Sequence, residues 1–120
     1  MGTGRINLIT IKVRRDFLTA SRGKRWVTPR FVLLTVKRAD DHPIRDIARV
    51  GYTVTKKMGN AVARNRIRRR LKHAAAQIAA PYMKPCHDYV IISREAALTC
   101  EFSEILRDME FAFSRIHANK

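Results

Sequence analysis

Residues 56–72 read Lys56-Lys57-Met58-Gly59-Asn60-Ala61-Val62-Ala63-Arg64-Asn65-Arg66-Ile67-Arg68-Arg69-Arg70-Leu71-Lys72. Eight of the seventeen are basic and none is acidic. Asn60 is a residue type that caps helix N-termini, and Pro81 marks the far limit, so a helix is predicted from Gly59-Asn60 to Ala79 or Ala80. At about 100° per residue, Ala63, Ile67, Leu71, Ala74 and Ile78 fall within about 80° of one another and form the stripe to be buried. Asn65, Arg68, Arg69 and Lys72 cover the opposite side, with Arg66 beside them. Arg64 and Arg68 stand one turn apart at an edge of the stripe. A narrow, alanine-rich stripe suits packing on a sheet better than contact with lipid.

Alone, this helix would be poor. Arg64/Arg68, Arg66/Arg70 and Arg68/Lys72 are like-charge pairs at i,i+4, each costing roughly 0.2–0.5 kcal/mol. Positive charge in the first turn also opposes the helix dipole. Solvated helix faces normally mix signs at this spacing, and this one does not. Such local conflict is kept where function demands it. From Arg64 to Lys72 arginine outnumbers lysine five to one, and the guanidinium fork matches phosphate geometry. The expected partner is a polyanion.

Composition agrees. The chain has 120 residues, a net charge of +15 and 46% hydrophobic residues, enough for one domain with a modest core. From Ile47 to His87 there are ten Lys or Arg and no acid, whereas six of the ten acids lie at or after Asp88. One strongly positive face and a more balanced back are expected, which points to nucleic acid. No apolar run approaches the roughly 18–20 residues that would span a bilayer, so no membrane partner is expected. Arg14-Arg15-Asp16-Phe17-Leu18 resembles a twin-arginine export core, but polar and basic Thr19 to Arg25 follow it instead of an apolar stretch. Cys86 and Cys100 lack CxxC spacing and read as free thiols of a cytoplasmic protein.

Outward from the basic helix, residues 1–13 read as a basic, flexible arm without a regular element, and residues 14–120 as a single domain, which the resemblance given below makes an RNA-binding one. Arg14 to Ser21 suggests one or two helical turns presenting Phe17 and Leu18. Arg25 to Val27 and Phe31 to Lys37 read as strands around a Thr28-Pro29-Arg30 turn. Arg49 to Thr55 alternates, with Val50, Tyr52 and Val54 on one side. Asp88 to Ser93 reads as a buried strand. Glu101 to His117 reads as a second long helix with Phe102, Ile105, Leu106, Met109, Phe113 and Ile116 as its stripe. A small sheet with helices packed on it follows.

At the basic helix the chain resembles the bacterial ribonuclease P protein subunit. The family's signature is a Lys-Lys, a Gly-Asn, then Arg-Asn-Arg and a basic pair. It stands here as Lys56-Lys57, Gly59-Asn60, Arg64-Asn65-Arg66 and Arg68-Arg69. Asp16-Phe17, Gly23 with Phe31-Val32-Leu33, Arg49-Val50-Gly51 and Asp88-Tyr89-Val90-Ile91-Ile92 also fit. The resemblance covers most of residues 14–117. It implies an α+β fold, a single-domain α/β sandwich in αβββαβα order. It also implies a left-handed βαβ crossover, where general rules predict the right-handed form.

The resemblance further implies the protein subunit of ribonuclease P, an endonuclease that removes the 5′ leader of precursor tRNA. Hydrolysis is expected on the catalytic RNA subunit with bound Mg²⁺, and no catalytic group on the protein. Arg64, Asn65, Arg66, Arg68, Arg69 and Lys72 are expected to face the RNA subunit. Phe17, Arg14, Arg15 and Lys57 are expected to hold the single-stranded leader, by aromatic stacking within a basic groove between the first helix and the sheet. Two positions depart from the pattern. Ala20-Ser21 stands where some relatives carry a second aromatic, and Leu34 where some carry an aromatic on the central strand. Trp26 is open to two readings, a stacking substitute or a packing residue.

Two other classes compete: a basic ribosomal or other structural RNA-binding protein, and a protein-only nuclease. The latter needs clustered carboxylates or histidines, and here the acids are thin near the basic region while His42, His73, His87 and His117 are scattered. Cys86-His87 lacks two further ligands, so no zinc is expected. No GxSxG and no phosphate loop occur, and no small-molecule substrate is expected.

Overall fold

The computed structural model describes residues 9–10, 19–20, 22–43 and 46–117. Its strands are β1 (Ile9–Thr10), β2 (Lys24–Val27), β3 (Phe31–Lys37), β4 (Arg49–Thr53) and β5 (His87–Ser93). Its long helices are α1 (Ala61–Ala74) and α2 (Phe102–Ile116). The fold is α+β, with strands in the order β1-β4-β5-β3-β2. β3 pairs antiparallel with both β2 and β5, while β5 is parallel to β4 and β4 to β1. Parallel neighbours need a crossover, and between β4 and β5 the crossover carries α1. The expected first helix falls mostly outside the described residues, where only Thr19 and Ala20 are seen, both helical. One expectation needs correcting. The 1–13 stretch is not free of regular structure, because Ile9 and Thr10 pair with Arg49 and Val50. An edge strand needs only backbone partners, so no side-chain pattern announces it.

Alternation sorts the sheet residues. Phe31, Leu33, Val50, Tyr89 and Ile91 join Ile67 and Leu71 of α1 and Ile105, Met109, Phe113 and Ile116 of α2 in one buried core. Trp26 packs against this same core, under the helices. On the other side Leu34 and Val90 form a second small cluster with fully buried Ala20, flanked by Val32, Val36 and Ile92. At the start of β2 the chain passes so close to β3 that a Cβ on Gly23 would lie 1.9 Å from the Thr35 carbonyl oxygen. Only glycine fits there.

The expected α1 stripe shifts in its second half. Ile67, Leu71 and Ala74 are fully buried, but so are Ala75 and Ala79, while Ala63 and Ile78 are only half-buried. The cause is a change of winding: Ala75–Ala79 form a π-helical turn and Ala80–Tyr82 a 3-10 turn. A π turn adds a residue per turn and moves the buried position from i+7 to i+8. Pro81 therefore does not end the helical path. It sits at the start of the 3-10 turn, where its missing N–H costs nothing.

The sheet also holds a charged group. Asp88 at the start of β5 is buried between Arg38 and Arg49. Arg49 clamps it with two bonds, Nε to Oδ1 at 2.8 Å and Nη2 to Oδ2 at 2.7 Å, and Arg38 Nη1 donates to Oδ1 at 2.5 Å. Arg38 also donates to the carbonyls of His87 and Ile47. One carboxylate thus ties β4, β5 and the segment after β3. Asp88→Asn would leave two buried guanidiniums facing a neutral amide. We expect a loss of about 3 kcal/mol or more in urea unfolding, as when one partner of a buried pair is removed. A loss under about 1 kcal/mol would show the triad to be dispensable.

At the same end, His117 closes α2. Its Nε2 and the Tyr89 hydroxyl share a hydrogen bond of 2.7 Å. Burial, then the positive charges of Lys84, His87 and Lys24, push its imidazole down from 6.5 to about 4. The unfolded chain therefore binds one more proton than the folded chain between about pH 6.5 and 4. Stability must fall as pH drops through that window and lose nothing further from this group below it. Screening at a partly exposed ring limits the effect to on the order of 1 kcal/mol. His117→Gln should flatten the wild-type pH dependence by that amount in denaturation curves at pH 7 and 4.5. Parallel curves would contradict the assignment.

Candidate nucleic-acid interface

Local chemistry sets the start of α1. Gly59 takes φ +125°, a value that L side chains rarely adopt, and the Asn60 side-chain oxygen accepts from the Ala63 N–H at 2.9 Å. Just before it, Lys56–Met58 form a 3-10 turn with Lys56 and Lys57 exposed. No acidic residue occupies the first turn of α1. The helix forms despite its charges because Ile67 and Leu71 are fully buried. Each contributes roughly 1.5–3 kcal/mol, against about 1 kcal/mol for the three like-charge pairs together.

The basic side chains then divide by task. Asn65, Arg66, Arg69 and Lys72 are exposed, and Arg64 and Arg68 are half-exposed. Arg68 Nη1 donates to the Asn65 amide oxygen at 3.0 Å, one turn back. Lys72 Nζ stands 5.9 Å from the Tyr52 ring centroid, a distance at which a cation and a ring attract. Burial pushes the Tyr52 hydroxyl up to about 12, so it stays neutral beside Lys72. All six residues expected to meet RNA on α1 share its outer side and edges.

Arg70 differs. It turns away to donate to the Leu98 carbonyl at 3.1 Å and to the Cys100 carbonyl. It fastens α1 to the segment leading into α2. Arg70 is not among the residues expected to face RNA, and on the helical wheel it borders the buried stripe. Its carbonyl partners, 28 and 30 residues further on, are what no local pattern shows. Phe102 was also missed as a neighbour of this surface. It is the first residue of α2, and with Arg66, Arg69, Arg70 and His73 it lines a cavity of about 330 Å³. Periodicity assigned it to the core stripe only.

The expected leader site is seen in part. Lys57 is exposed beside the N-terminus of α1. Phe17, Arg14 and Arg15 lie outside the described residues. Leu34, 7% exposed, lies on the sheet side that Ala20 packs against, whereas Trp26 lies on the side of α1 and α2. Of the two readings of Trp26, packing is the one observed. Both cysteines are free, and the Cys86 sulfur accepts from the Asp46 N–H at 3.4 Å. Among the described residues, no helix is long and apolar enough to cross a membrane.

The sequence pattern of one family, Ribonuclease P, matches residues 7–117. The chain belongs to the ribonuclease P protein family. Its relatives include the ribonuclease P protein component of Brucella melitensis, 42% identical over 106 residues, covering 85% of this chain and 75% of that one. That of Paramagnetospirillum magneticum is 38% identical over 109 residues, covering 90% and 82%. Among solved structures, the ribonuclease P protein of Thermotoga maritima superposes with a TM-score of 0.73 at 26% identity, covering 89% and 96%. The chain is thus a ribonuclease P protein subunit, and the reading as a ribosomal protein is not favoured.

The division within α1 makes a prediction. Arg70→Ala strands two carbonyls and should cost roughly 1–3 kcal/mol of stability. Arg69→Ala should leave thermal stability within about 0.5 kcal/mol, as an exposed substitution does, yet weaken RNA binding. Equal effects of the two on melting would refute the distinction.

Proposed function

We propose that the outer side of α1 docks on the catalytic RNA subunit of ribonuclease P, through Arg64, Asn65, Arg66, Arg68, Arg69 and Lys72. The observation that carries this reading is a helix side where arginine and lysine project with no carboxylate beside them. A helix side that carries cations alone suits a polyanion better than a small substrate. Arginine contributes forked donors and Asn65 orients Arg68, so the surface enters the complex partly pre-organised.

Precursor tRNA is the proposed substrate of the complex. Its single-stranded 5′ leader lies between the first helix and the sheet, with Lys57, Phe17, Arg14 and Arg15 as contacts. Half-buried Val32, Val36 and Ile92 give bases an apolar border, and the cations hold the backbone. Phosphodiester hydrolysis belongs to the RNA subunit, and the protein contributes binding, positioning and charge neutralisation. Among the described residues no three His, Cys, Asp or Glu side chains gather to hold a metal ion. Mg²⁺ is assigned to the RNA, and the compartment to the cytoplasm.

Reconstitution tests the reading. Protein with its cognate RNA should cleave precursor tRNA at low Mg²⁺, and protein alone should be inert. Cleavage by RNA-free protein would sink it. Affinity for the RNA subunit should fall with salt at a log–log slope of roughly −0.7 to −0.9 per phosphate neutralised. Arg68→Ala should flatten that slope by about one unit. An unchanged slope places Arg68 outside the interface.

A further inference from the structure

Outside α1, basic side chains among the described residues gather again at the other end of α2. Phe102 opens α2 beside the α1 arginines, and fifteen residues later the helix ends before His117, about 22 Å away. There Lys24 from β2, Lys37 from the end of β3, Lys84 and His87 from the approach to β5, and His117 line a cavity of about 270 Å³. No carboxylate lines it among the described residues. Asp88 is shared by Arg38 and Arg49. Glu110 is directed to the Tyr82 hydroxyl.

We propose that this cavity is a second anion site, which takes one phosphate group. Several observations converge on it. Five cationic or imidazole side chains from four separate segments meet at one hollow, so the charge is gathered by the fold and not by a run of sequence. At about 270 Å³ the cavity is below the roughly 300–1,000 Å³ of sites for whole drug-sized ligands. A phosphate with a few waters suits it better than a nucleotide. Lysines supply point charges that adapt to a compact anion, where the α1 arginines supply forks. The α2 C-terminus presents about half a negative charge nearby, too little to offset Lys37 and Lys84 together.

A positive field is already felt within the site. Lys84, His87 and Lys24 all help to lower the His117 imidazole, and a bound dianion would reverse that effect. The floor is fixed: Tyr89 accepts from the Lys84 backbone N–H at 2.8 Å and bonds His117, while His87 Nδ1 lies 2.9 Å from the Pro85 carbonyl oxygen. The phosphate is either free or terminal, or a diester within a strand passing the half-buried Val36, which borders both the Leu34 cluster and the cavity.

Histidine NMR on the intact chain separates these cases and keeps the site apart from α1. His87 and His117 report the cavity, and His73 reports the basic helix. The probes are inorganic phosphate and a short single-stranded RNA lacking terminal phosphates, each added at constant ionic strength against chloride. Saturable shifts of His87 and His117 are expected with phosphate, with His117 moving to a higher pKa. Shifts with both probes assign a diester within a strand, and shifts with phosphate alone assign a free or terminal group. Lys37 and Lys84 are exposed, so Lys37→Ala and Lys84→Ala should fold normally and weaken phosphate binding roughly tenfold, the order of one hydrogen bond to a charged group. Shifts confined to His73, no saturable shift, or full affinity in both variants would overturn the proposal. None of these outcomes depends on whether the protein supports tRNA cleavage.

Discussion

The structure depends on the seating of α1. A helix with this much like charge is held by the contact of Ile67, Leu71, Ala74, Ala75 and Ala79 with the sheet. That contact must outweigh the repulsion along the other side, and its margin is a few kcal/mol at most. Small residues let the helix axis approach the sheet closely. The bulk is then supplied from below by Tyr89, Phe31 and Leu33, all fully buried. Arg70 adds a second hold by binding carbonyls of the segment before α2. One arginine is thus spent on anchoring so that its neighbours can stay extended.

The placement of acids follows from the same constraint. A carboxylate within reach of α1 would neutralise the surface proposed to meet RNA. Five of the ten acids, Glu95, Glu101, Glu104, Asp108 and Glu110, lie on α2 or just before it, where Glu104 and Asp108 pair with Arg30 at 2.7 and 3.5 Å. Asp88 instead sits in the sheet and is held by two guanidiniums. Burial is what makes this tolerable: the carboxylate strengthens the joint of β4 and β5 without showing charge to solvent. That joint is also the parallel pair that α1 bridges, so the rigidity of the helix platform rests partly on one ion triad.

Local signals were legible. The Gly59-Asn60 start, the Ile67/Leu71 stripe, the Phe31–Lys37 run and the α2 stripe each depend on residues a few positions apart. Patterns of period 2 or 3.6 report such elements directly. What stayed hidden depends on distance along the chain. Asp88 meets Arg38 and Arg49 across fifty and thirty-nine residues, and no local rule pairs them. The π turn has no sequence mark, because an alanine-rich run winds either way and the choice is made by the sheet beneath. The partners of Arg70 and the cavity at His117 were hidden by that same distance along the chain. The proposed leader contacts Phe17, Arg14 and Arg15 rest on family resemblance alone.

The two basic regions differ in how their charge is made. On α1 the charge is written in one continuous segment, so it persists even if the helix frays, and binding can help to fold it. At the far end of α2 the charge exists only when β2, β3, β5 and α2 are assembled. Lys24, Lys37, Lys84 and His117 are scattered over ninety-four positions of sequence and meet in one hollow. Repulsion there is a cost of the folded state alone, since the unfolded chain separates these groups. An anion in that hollow would therefore stabilise the native fold selectively, and it would do so at the corner where the Asp88 triad and the Tyr89–His117 bond already hold the sheet to its helix.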